Sequence, residues 1–140
     1  MIWIILIIIT AIILFRFISD LNKDNYDVHS QTLAEKFQII VDIFNQYCFN
    51  GQGQITELNK KSLNLYKSGD NQIIYFEYST GHLTITWKYK YFQKEIIHKK
   101  VFPNVRNLSI FEQQKIAEIM ISEMVIVVDN HQKSVLDNIK

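Results

Sequence analysis

Residues Met1 to Ile18, MIWIILIIITAIILFRFI, limit this chain more than any other stretch. From Ile2 to Phe15 the only polar side chain is Thr10, whose hydroxyl can bond back to its own helix. At 1.5 Å rise per residue the run is about 27 Å long as a helix. That matches the short end of helices that cross a hydrocarbon core roughly 30 Å thick. Arg16 stands near one end, where its guanidinium can reach the headgroups, and Trp3 near the other suits the interfacial belt. The expectation is an uncleaved transmembrane anchor. A cleaved signal peptide would want a Lys or Arg before the apolar run and a small-residue cleavage site after it; neither is present. A buried core helix would need a core able to surround it, which a chain of 140 residues can hardly supply.

Basic residues set the expected orientation. None precedes the run, whereas Arg16, Lys23 and Lys36 follow it, so the positive-inside rule places the C-terminal part in the cytoplasm. Cys48 is the only cysteine, which excludes an intramolecular disulfide and agrees with a reducing compartment.

The rest reads as a linker and one domain. Ser19 to Ser30 is polar and lacks an apolar period, and residues 31–140 follow as a single α+β domain. Aromatics at 13% are too many for disorder, and glycine and proline are scarce. Thr32-Leu33-Ala34-Glu35 is a capping-box pattern, in which each side chain satisfies the other's free backbone N–H. Leu33, Phe37, Ile40, Val41, Phe44, Tyr47 and Cys48 then form one apolar stripe, and Asn50-Gly51 is a left-handed stop. Gly53 to Lys67 is ambiguous, with Leu63 and Leu65 alternating like a short strand. Lys67 to Asn71 and Thr80-Gly81 are turns, and Gln72 to Ser79 between them is rich in β-formers. His82 to Tyr91 alternates cleanly, with Leu83, Ile85, Trp87, Tyr89 and Tyr91 on one face. Phe92 to Phe102 returns as a strand or forms a helix. Ser109-Ile110-Phe111-Glu112 is a second capping box. The helix it opens carries Ile110, Ala117, Met120, Ile121, Met124 and Val128, and is apolar nearly all round from Ile116 to Val128. Val125 to Val128 could instead be a buried strand; Asp129 to Lys140 is polar and is expected to fray. The expected order is an N-terminal transmembrane helix, a helix, an antiparallel meander of three or four strands, and a C-terminal helix.

Catalytic patterns are scarce. His29, His82, His98 and His131 are scattered, no Cys/His cluster has zinc spacing, and Gly51-Gln52-Gly53 lacks the rest of any phosphate-binding loop. No cofactor or metal is expected. A small hydrolase around Glu77 and His82 would need a cleft that the sequence does not reveal. Two surface features stand out. Lys88, Lys90, Lys94, Lys99 and Lys100 gather on one hairpin with Tyr89, Tyr91 and Phe92 among them, which suits a solvated, edge-guarding face or an anion-binding one. Lipid headgroups would be the nearest anions to a tethered domain. Nucleic acid is not expected at a formal net charge of +1. The second feature is the surplus apolar surface of the last helix, where Ile119, Val125, Ile126 and Val127 would meet a protein partner or a second copy. The functional expectation is a membrane-anchored, non-catalytic interaction or accessory subunit at the cytoplasmic face; the alternatives are a peripheral module binding anionic lipid, or less readily nucleic acid, through the basic hairpin, and the small hydrolase.

Overall fold

The computed structural model describes residues 2–140; Met1, the first residue of the expected anchor, lies outside them. Helix α1 spans Ile2–Ser30, α2 Leu33–Lys36 and α3 Gln38–Phe49. Five strands follow: β1 Gln54–Asn59, β2 Ser62–Tyr66, β3 Gln72–Ser79, β4 His82–Tyr91 and β5 Lys94–Phe102. Helix α4, Ile110–Ile139, closes the chain. The fold is α+β, and the sheet is antiparallel throughout with spatial order equal to chain order. It has five strands rather than three or four.

Helix α1 holds the one stretch among the described residues that is long and apolar enough to cross a membrane, Ile2–Asp20, and none of it is buried. Thr10 donates its hydroxyl to the carbonyl of Leu6 at 2.8 Å, which satisfies the one polar side chain of the run. The helix continues through Ser30 instead of loosening into an irregular linker. Arg106 ties its middle to the rest of the chain: Nη2 donates to the Asp20 carbonyl at 3.3 Å and stands 3.7 Å from the Asp20 carboxylate.

Both capping boxes form, at Thr32 with Glu35 and at Ser109 with Glu112. The first opens only four residues of helix, because the backbone of Phe37 leaves helical geometry at φ −110° and ψ 30°. The Phe37 ring is thereby buried edge-on against Tyr78, with centroids 5.7 Å apart. Helix α3 then ends on Asn50, itself left-handed at φ 53°, followed by Gly51 at φ 77°.

The core lies between one face of the sheet and α2, α3 and α4. Leu63, Leu65, Ile74, Phe76, Tyr78, Leu83, Ile85 and Trp87 supply the sheet side. Leu33, Phe37, Ile40, Val41, Phe44, Phe49, Ile116, Ala117, Met120 and Met124 supply the helices. Three parts of the sequence reading are corrected here. Ile110, placed on the α4 stripe, is exposed, and Tyr47 turns outward while Phe49 fills the core. Asp129 to Ile139 continues α4 instead of fraying, and Val125 to Val128 is helical, as the stripe running through Val128 expects. The tail is held because Gln132 donates to the Tyr89 hydroxyl at 2.8 Å, His131 to the Lys94 carbonyl at 3.1 Å, and Val135 is buried.

Alternation of turns gives the sheet two distinct ends. The β1–β2 turn at Lys60-Lys61, the β3–β4 turn at Thr80-Gly81 and the loop after β5 lie at the end where Arg106 meets α1. The β2–β3 and β4–β5 turns lie at the other. The β4–β5 turn, Phe92-Gln93, contains no glycine although both residues have left-handed φ, 49° and 62°. Helices α3 and α4 run in the same direction between these ends. Gln113 donates to the Lys36 carbonyl at 3.3 Å near the start, and Tyr47 and Val125 stand together near the far end.

Candidate functional site

Where α3 stops short of α4, a cleft opens at the sheet end far from α1. Its volume is about 320 Å³, and Tyr47, Trp87, Met124, Val125 and Val128 give it an apolar lining. Gln72, Tyr89, Asp129 and Gln132 supply its polar groups. The floor is preorganised. Trp87 Nε1 donates to Gln72 Oε1 at 3.0 Å, and Gln72 Nε2 donates to the Cys48 carbonyl at 3.1 Å. Trp87 also packs edge-on to Phe44, with centroids 5.5 Å apart. Burial and then the nearby Asp70 carboxylate push the Cys48 thiol up to about 12. Its thiolate is therefore scarce near neutral pH, and the residue acts as a small packing group.

On α4 the cleft is the start of a longer seam. Val125, Val128, Gln132, Leu136 and Ile139 follow one another at steps of three and four residues, which places them along one side of a helix. Val125 is 48% exposed, and Leu136 and Ile139 are also exposed. Of the four residues expected at a partner interface, Val125 lies in this cleft and Ile126 is 63% exposed on the adjoining face. Ile119 and Val127 instead pack half-buried against the core. The seam is readable from the 3.5-residue spacing; the cleft depends on where α3 ends and was not.

The five lysines do not share one face. Strand register pairs Ile73 with Lys88 and Lys88 with Ile97, and likewise Tyr75 with Thr86 and Thr86 with Lys99. Lys88, Lys90 and Lys99 therefore point from the sheet face opposite the helices. Lys90 lies directly across from Glu95 on that face, which offsets its charge. Lys94 and Lys100 alternate to the helix side. Lys100 is engaged there with Glu123 of α4, which also receives His98 Nε2 at 3.0 Å. Lys100 first, and His98 second, hold the Glu123 carboxyl below the usual carboxylate range. The outward face is wet but not wholly polar, since Ile97 and Val101 are exposed on it. From His82, beside the α1 junction, to Lys90 is about 26 Å along an extended strand.

Glu77 is exposed on the same outward face, and His82 is exposed with Nδ1 donating to the Thr80 carbonyl at 2.7 Å. No group of three or more metal-ligating side chains occurs among the described residues. No family model, curated protein or solved structure matches the sequence.

Proposed function

We propose that this chain is a membrane-anchored, non-catalytic accessory domain that engages a protein partner through the α3–α4 cleft and the seam beyond it. The observation that carries this reading is α1. The 19-residue stretch Ile2–Asp20 is strongly apolar on average, and residues Ile2 to Ile18 of it lie exposed, without cover from the domain they are attached to. Water would have to hydrate that whole surface, at roughly 25 cal/mol per Å², unless lipid covers it. Arg16 near the end of the span and Lys23 and Lys36 after it support a cytoplasmic domain. The seam is the exposed apolar surface at the opposite end, where a helical or extended segment of a partner could place apolar side chains in a pocket already formed.

Two measurements test this. Removing residues 1–18 should release the domain from carbonate-washed membranes while the near-ultraviolet spectrum around Trp87 is preserved. A photo-crosslinking residue at Val125 or Leu136 should capture a discrete product in native membranes, and one at Thr86 on the opposite sheet face should not. A product from Thr86 and none from Val125 would move the partner surface to the sheet. That outcome belongs to a second reading, which Lys88 and Lys99 favour. They are diagonal neighbours on the uncovered sheet face, with Tyr75 in the same row as Lys99, and together suit a small anionic ligand. Salt-sensitive binding of such an anion, lost in the Lys88→Glu, Lys99→Glu variant, is its test.

A further inference from the structure

We propose that the α1 end of the domain rests on the bilayer surface, with Ile110 and Phe111 inserted among the headgroups beside the span. This rests on the anchor reading above and deepens it. Phe15, Ile18, Ser19, Asn22 and Lys23 of α1 share a hollow of about 620 Å³ with Arg106 and Asn107. The loop after β5 therefore stands level with the residues where the span ends, and the bilayer surface lies at that level. Three residues after Asn107, Ile110 is 64% exposed and Phe111 72% exposed. Neither belongs to the core, which α4 meets through Gln113, Ile116 and Ala117 instead. The capping box of Ser109 with Glu112 fixes the first turn, so these two side chains are presented by a rigid helix start.

Charge agrees with the placement. The β1–β2 turn at the same sheet end carries Lys60 and Lys61, and Arg106 and Lys23 stand at the junction with α1. An apolar pair with cations at the same end of the domain is what an interfacial contact with phosphate headgroups uses. Arg106 is positioned by the fold as well as by Asp20. Val105 N donates to the Gly81 carbonyl at 3.0 Å, and a Cβ on Gly81 would come within 3.1 Å of Arg106 Nε. Resting on this end, the domain directs its α3–α4 cleft away from the bilayer.

The test uses the full chain reconstituted into phosphatidylcholine vesicles containing a minority of phosphatidylglycerol. An environment-sensitive fluorophore is attached at Ile110→Cys or Phe111→Cys, and for comparison at Ser68→Cys in the β2–β3 turn, each with Cys48→Ala. The expected result is blue-shifted emission from positions 110 and 111 and strong quenching by lipids bearing a nitroxide high on the acyl chain. Position 68 should show water-like emission and little quenching. If the labelled chain floats with the vesicles after a carbonate wash but positions 110 and 111 are as wet as position 68, this inference fails and the anchor stands. If the chain does not float, both fail.

Discussion

Trp87 donates its indole N–H to Gln72, and Gln72 passes a second hydrogen bond to the last turn of α3 at the Cys48 carbonyl. One side chain of β3 thus joins a neighbouring strand to a helix end whose carbonyls have no partner within the helix. Gln72→Leu removes both bonds and leaves the indole N–H of the buried Trp87 without an acceptor. It should cost about 1–3 kcal/mol. Urea unfolding of the chain lacking residues 1–18, followed by Trp87 fluorescence, measures this. A loss under about 0.5 kcal/mol, the range of an ordinary surface change, would show that the floor is held by packing alone.

The β4–β5 turn holds its shape against preference. A left-handed residue with a side chain costs roughly 1–2 kcal/mol, and two stand in succession at Phe92 and Gln93. Gln93→Gly should stabilise the domain by about 0.5–1 kcal/mol after the extra freedom of glycine in the unfolded chain is subtracted. Phe92→Gly should gain less or lose, because the Phe92 ring packs on Tyr91 at 4.6 Å between centroids. Equal gains at both positions would deny that packing any weight.

Glu123 links α4 to the edge strand through Lys100 and His98. Its carboxyl sits below the usual range in the folded chain. The stabilisation is therefore full above the unfolded carboxyl value, about 4.3, and is lost as pH falls through the folded one. Glu123→Gln should lower Tm at pH 7, and the gap to the parent should narrow as acidification protonates the Glu123 carboxylate. The carboxylate faces solvent, so the gap will be small. Lys100→Glu should destabilise more than Lys88→Glu or Lys99→Glu, since only Lys100 lies against Glu123. A gap that persists unchanged at low pH would assign the loss to packing.

Cys48 should stay unreactive toward maleimides in the folded chain at pH 7, because burial holds its thiol protonated. A cysteine introduced at the exposed Ser68 then reports topology without interference. With the domain inside, Ser68→Cys should resist an impermeant maleimide in intact cells and label promptly after lysis. Labelling before lysis would place the domain outside.

Much of the fold could be read where local chemistry and tertiary packing agree. The capping boxes at Thr32 and Ser109 and the alternation of His82 to Tyr91 each say the same thing at both levels. Strand β1, Gln54–Asn59, could not be read, because all six of its residues are exposed and its two faces do not differ in polarity. The turn at Phe92-Gln93 carries no Gly, Asn or Pro to mark it. Adjacent numbers put Lys99 and Lys100 on opposite faces of a strand, but the role of Lys100 depends on Glu123 of α4 lying above it. The end of α4 looked polar and loose because its supports, Tyr89 and the Lys94 carbonyl, are remote in sequence.

Because the sheet order equals the chain order, every strand pair is closed by a short local connection, and such topologies fold quickly. The layer that covers them is assembled in two instalments, however. Helices α2 and α3 precede the sheet, whereas α4 comes last, so a ribosome releases five paired strands before the final thirty-residue helix can seal them. Until then the sheet face has only α2 and α3 over it, with Trp87 against Phe44, and the part that Ile116, Ala117, Met120 and Met124 cover stays open. A chain stopped short of α4 would leave part of its sheet core open, and such a partly covered sheet is prone to aggregate.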